Sequence, residues 1–163
     1  MLKINFFCIL LVCIQVSAND YEAIGFSPLF VSIAKGGDQE RLFENLITSK
    51  NCRHISAGGS SVLHVALYHG CNYNLLRRLI YNQAPIDAQD NNGDSPLHVA
   101  VKMANFNAVQ LLKTKCNLDL RNAKRMTALE LAYHVLNNPQ EFFCGDYSRV
   151  RDSLRKIYNL LSK

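Results

Sequence analysis

The stretch "GDSPLHVA", residues 93–100, decides how this chain is read. Its histidine, His98, stands in an otherwise apolar run, where it is either a reactive group or a structural one. An earlier stretch, "GSSVLHVA" at 59–66, repeats the pattern and puts His64 in the same place. Weaker copies flank these two: "GFSPLFVS" begins at Gly25 and "RMTALELA" at Arg125. The starts at 25, 59, 93 and 125 are 34, 34 and 32 residues apart. A steady period of that length signals structural units that stack on one another.

Local chemistry agrees with a helical unit. Ser61, Ser95 and Thr127 stand where a helix N-cap is wanted, and Pro28 and Pro96 follow at the first helical position. Leu63, Ala66 and Leu67 share one helical stripe, as do Leu97, Ala100 and Val101. Each copy leads through a polar turn to a second apolar stretch, ending in Leu46-Ile47, Leu79-Ile80 or Leu111-Leu112. "DNNGD" at 90–94 suits a hairpin tip. The small residues Ala66, Ala100 and Ala132 let neighbouring helices approach closely.

These residues resemble the ankyrin repeat, with its Gly-x-Thr-Pro-Leu-His-x-Ala start and Leu-Leu-x-x-Gly-Ala close. The resemblance runs from about Gly25 to the C-terminus and is best over residues 79–100. It implies an all-α solenoid of about four stacked helix-turn-helix repeats with finger turns, occupying 19–163 and closed by a capping helix over 147–162. The outer copies depart from the pattern: Phe30 and Glu130 replace the histidine, and Ser32 replaces the alanine. Gln83 and Lys115 stand where the family prefers glycine, which leaves the helix ends there open.

A histidine once per unit is placed to tie turns together, because buried polar groups need partners and a stack supplies backbone ones. His64 and His98 are therefore read as structural. A metal site would need the rings to converge, and no carboxylate or thiol recurs beside them at matching spacing. The chain contains no Gly-rich phosphate loop, no Gly-x-Ser-x-Gly elbow and no paired-cysteine knuckle. No cofactor is expected, and the reading is of a binding surface, not an enzyme. An enzymatic alternative would place His69, His134 or Cys144 in a groove.

Composition is that of a globular chain, 48% hydrophobic and 19% charged. The net charge of +5 comes from scattered residues and does not argue for nucleic acid. Residues 1–18, "MLKINFFCILLVCIQVSA", form a separate class: a lysine, an apolar core and small residues before a cut. That pattern predicts a secretory signal peptide, too short for a comfortable membrane span, and hence a secreted or periplasmic protein. Lys3 is the one charged residue of that stretch, so processing would lower the net charge by one.

Outside the leader the cysteines are Cys52, Cys71, Cys116 and Cys144, which allow three pairings. Repeat register separates most of them beyond bridging distance, leaving Cys71 with Cys144 in the insertion "NNPQEFFCGD" as the pairing to consider; the alternative is small buried thiols. The C-terminal "YSRVRDSLRKIYNLLSK" is basic and amphipathic, with Val150, Leu154, Ile157 and Leu161 on one face. It is read as the cap of the stack, with a membrane-surface helix as the alternative.

The resemblance further implies a protein partner held on the concave face of finger turns and inner helices. The fingertip candidates are Gln89, Asn91, Asn92 and Asp94, then Arg121, Lys124, Arg125 and Met126. Inner-helix candidates are Tyr68 and His69, Lys102 and Met103, then His134 and Val135. The basic later finger predicts an acidic patch on the partner, and the chain is expected to be a monomer.

Overall fold

The computed structural model describes Leu29, Ile33, residues 46–143 and residues 147–163. The leader-like stretch, most of the first repeat and Cys144 lie outside the described residues; Leu29 and Ile33 are helical and fully buried. The described chain runs through α1 (Ser49–Cys52), α2 (Val62–Tyr68), α3 (Tyr73–Tyr81), α4 (Pro96–Lys102), α5 (Phe106–Lys113), α6 (Ala128–Asn137), a 3-10 turn (Pro139–Glu141) and α7 (Ser148–Leu161). The inner helices α2, α4 and α6 stack in one layer, and the outer helices α3, α5 and α7 in a second. This is an all-α stack of helix pairs with finger turns, the architecture that the resemblance implies.

The helices start where the sequence places them. Ser61, Ser95 and Thr127 are the N-caps of α2, α4 and α6, and Pro96 opens α4. The outer helices use asparagine instead: Asn72 Oδ1 accepts from Leu75 N at 2.9 Å, and Asn105 Oδ1 from Ala108 N at 3.0 Å. Between the layers lie Leu63, Leu67, Leu79, Leu97, Leu112 and Leu131, each almost fully buried. Burying such side chains stabilises by roughly 1.5–3 kcal/mol each, and no single repeat could enclose them alone.

α7 closes the stack as expected, one residue shorter at each end than 147–162. Its apolar face packs on α5 and α6, with Leu154 and Ile157 fully buried, while Arg151, Arg155 and Lys156 face water. The apolar side available to a bilayer is thus already occupied. Lys113 Nζ also donates to the Leu160 carbonyl, joining α5 to the end of α7.

Three finger turns repeat one hydrogen-bond plan. Gly59 N donates to Ser56 O, Gly93 N to Asp90 O and Arg125 N to Asn122 O, at 2.9, 2.8 and 2.7 Å. The pairs Ser56 N to Ser60 O, Asp90 N to Asp94 O and Asn122 N to Met126 O are each 3.0 Å. One side chain per finger supports the turn: Ser56 Oγ, Asp90 Oδ1 and Asn122 Oδ1 accept the backbone N–H four residues on. Neighbouring fingers are pinned by Asn91 N to Gly58 O and Ala123 N to Asn92 O. Gly93, at φ +68°, admits this contact because a Cβ there would lie 2.7 Å from Ala123 N.

Positive φ without glycine occurs at Gln83 (64°), Ala104 (51°) and Arg125 (61°). Gln83 is one of the two positions where a glycine was wanted, and the exposed side chain is accepted at the cost of backbone strain. Lys115, the other, is not among the positive-φ residues. A side chain in this conformation costs roughly 1–2 kcal/mol. Replacing Gln83 by glycine is therefore expected to stabilise the stack by about 1 kcal/mol, read as a rise in urea midpoint at unchanged slope.

Candidate functional site

The repeated histidines answer the question raised by the sequence. His64 Nδ1 accepts from Ser61 N at 3.0 Å, and its Nε2 lies 2.8 Å from the Asp94 carbonyl. His98 repeats this with Ser95 N at 3.2 Å and the Met126 carbonyl at 3.0 Å. A backbone N–H can only donate and a carbonyl only accept, so each ring is fixed as the neutral tautomer with its proton on Nε2. Asp94 and Met126 immediately precede the next N-caps, so each ring joins its own helix start to that of the following repeat. Burial holds both imidazoles below their ordinary pKa, outweighing the carbonyl bonds and the carboxylates of Asp90 and Asp94, which act the other way. At the last inner helix Glu130 takes the histidine's place and reaches only its own cap, accepting from Thr127 N at 2.8 Å. Arg121 grips the same carboxylate at 2.8 and 3.3 Å.

A pocket of about 240 Å³ lies beside the second and third fingers, against the inner helices. Asn92, Asn122, Ala123 and Lys124 come from the fingers, Lys102 and Leu131 from α4 and α6, and Phe142 from the chain after the 3-10 turn; Asp94 completes the lining. Four of the sequence-expected contact residues, Asn92, Asp94, Lys102 and Lys124, are thereby brought together. Gln89, Asn91, Arg121 and Arg125 are exposed on the fingers, and Met103 is exposed at the end of α4. Tyr68, His69, Met126 and His134 are half-buried. Burial, followed by the nearby carboxylates of Asp90 and Asp94, pushes the Tyr68 hydroxyl well above its ordinary pKa.

Two positions expected at the surface are interior. Asp94 is 0% exposed, because its carboxylate accepts from Asn122 Nδ2 at 3.0 Å and pairs with Lys102 Nζ, while its N–H is held by Asp90. It is a brace between fingers, not a contact residue. Val135 is also 0% exposed, lying four residues after Leu131 on the buried stripe of a helix that continues to Asn137. Conversely, Asn122, Ala123, Leu131 and Phe142 line the pocket without having been singled out. Asn122 was discoverable: it follows Asp90 by 32 residues, the repeat interval. Phe142 was not, because the insertion carries no period.

Of the groups considered for chemistry, His134 is engaged structurally, while Cys144 lies outside the described residues. His134 Nε2 lies 3.3 Å from Glu141, and its ring meets Phe142 edge-on at 6.0 Å. Burial raises the thiols of Cys52 and Cys116 to about 11, which keeps them in the unreactive protonated form. Among the described residues no three metal-ligating side chains gather. No helix of the described residues is long and apolar enough to cross a membrane.

Comparison with known proteins points the same way. The family model for ankyrin repeats (many copies) matches residues 63–112, the span from α2 through α5. A fowlpox virus (strain NVSL) protein named as an ankyrin repeat protein is 35% identical over 66 residues, which cover 40% of this chain. The matched segment is 15% of that viral protein's length. Over residues 63–112, then, the chain is similar to ankyrin repeats, a repeat type associated with protein interaction.

Proposed function

We propose that this chain is an exported ankyrin-repeat module that docks, as a monomer, onto another extracytoplasmic protein presenting acidic groups. The export half of this reading rests on residues 1–18, whose lysine, apolar core and small residues fit a signal peptide. The docking half rests on one observation: around the concave pocket every carboxylate is already engaged, while two cations are not. Asp90 is bound by backbone N–H groups, Asp94 by Asn122 and Lys102, Glu130 by Arg121 and Glu141 by His134. Lys124 and Arg125 are exposed and have no carboxylate partner among the described residues. The surface left for a partner is therefore cationic, with Met103 and Phe142 supplying apolar contact of the kind interfaces favour. Docking of this sort could inhibit, shield or stabilise the bound protein, and a host protein met after secretion fits the same face.

The test is affinity capture from the exported fraction of the source, comparing the unaltered chain with Lys124→Glu/Arg125→Glu. Both residues are exposed, so the variant is expected to keep its helical circular dichroism. One dominant partner, retained by the unaltered chain and weakened at least tenfold in the variant, is the expected result. Equal retention by both proteins would move the docking site away from the third finger. Absence of any partner would remove the binding reading.

A further inference from the structure

The insertion between α6 and α7 gives this stack something that its repeats alone do not contain. After α6 the chain makes the 3-10 turn Pro139–Glu141, whose Pro139 is buried, and then delivers Phe142 to the pocket lining. The aromatic ring is met edge-on by His134, which is itself fixed by Glu141 and by Asn138 Nδ2 at 3.3 Å. The lining is thus divided by chemistry. Leu131, Ala123 and Phe142 supply apolar surface; Lys124 and Lys102 supply cations, the latter tied to Asp94.

We propose that this pocket takes an anchor from the partner: one apolar side chain seated against Leu131 and Phe142, with a neighbouring aspartate or glutamate meeting Lys124. This deepens the docking reading and rests on it. Charge selects the occupant. The carboxylates near the pocket are all satisfied internally, so a cationic anchor would find no unengaged acceptor, whereas a carboxylate finds the ammonium of Lys124 at the rim. Volume selects the apolar half, since a site of about 240 Å³ is smaller than the range usual for drug-sized ligands and suits a side chain. An anchor enclosed in this manner is where interface energy concentrates, with the surrounding fingers serving to exclude water.

The experiment is selection of a displayed random 12-residue peptide library on the full chain, with isolated peptides measured by fluorescence anisotropy. The expected consensus pairs an acidic residue with an apolar one, and an amidated C-terminus binds as well as a free one, placing the carboxylate on a side chain. Ala123→Leu fills the pocket from an exposed position and leaves the Ala123 backbone bond to Asn92 in place, so it is expected to fold and to weaken the peptide at least tenfold. Lys124→Gln is expected to weaken acidic peptides several-fold and to leave their Asn/Gln counterparts unchanged. Binding that survives Ala123→Leu but is lost in Lys124→Glu/Arg125→Glu would overturn the pocket and keep the docking face. A consensus without an acidic residue, binding that needs a free C-terminus, or no enrichment at all would overturn the anchor; no partner in the capture experiment would remove the broader reading as well.

Discussion

Replacing His98 by alanine is expected to destabilise the stack by about 3 kcal/mol or more. The substitution strands two buried groups at once, the Ser95 N–H and the Met126 carbonyl, which the ring bonds at 3.2 and 3.0 Å. Each buried polar group left without a partner costs about 1–3 kcal/mol, and the ring's own packing is lost in addition. In a domain of this size that is a fall in Tm of roughly 10 °C. His134→Ala, at a half-buried position outside the inter-repeat ties, serves as control and is expected to change Tm by only a degree or two. A His98→Ala protein that melts with the unaltered chain would show that the ring holds nothing together.

Acidification is expected to unfold the protein through the same two rings. Their folded pKa values lie below the ordinary one because of burial, so below about pH 6.5 the unfolded chain binds protons that the folded chain refuses. Stability is then fully present above the unfolded pKa and is lost as pH falls toward the folded value. Where both rings are protonated only in the unfolded chain, the loss approaches about 2.7 kcal/mol per pH unit. Protonation in place would aim a new Nδ1–H at the Ser61 or Ser95 N–H, two donors facing one another. The groups acting on the rings are Asp90 and Asp94 on both, His98 on His64 and Lys102 on His98; the carboxylates soften the effect without cancelling it. Urea midpoints from pH 7.5 to 5.0 check this, and a flat profile would contradict the fixed neutral tautomer. The steep dependence should diminish in His64→Gln/His98→Gln.

Much of this fold was legible because the repeat fixes equivalent positions. The caps at Ser61, Ser95 and Thr127, the structural role of both histidines and the capping helix all follow from register and period. Asp94 was misplaced because its burial depends on Asn122, a residue 28 positions away whose amide reaches across the gap between fingers. A fingertip reading treats each turn separately, whereas the turns are laced to one another. One wall of the pocket was illegible for a different reason. Phe142 arrives through an insertion outside the period, where the 3-10 turn and the His134 contact set its position.

The substitution of histidine by Glu130 has a consequence for how disturbances spread. His64 makes the start of α2 conditional on the residue before Ser95, and His98 makes the start of α4 conditional on the residue before Thr127. The two rings thus form a chain of bonds along the inner layer, and a substitution that displaces the Met126 carbonyl is expected to loosen the start of α4 as well. At Glu130 this kind of linkage stops: the carboxylate reaches back to its own cap, and α7 is held instead by packing on α5 and α6 and by the Lys113 bond to the Leu160 carbonyl. The insertion bearing Phe142 follows α6, at the end of the histidine-linked row, so the pocket is walled on one side by linked fingers and on the other by a segment outside that linkage.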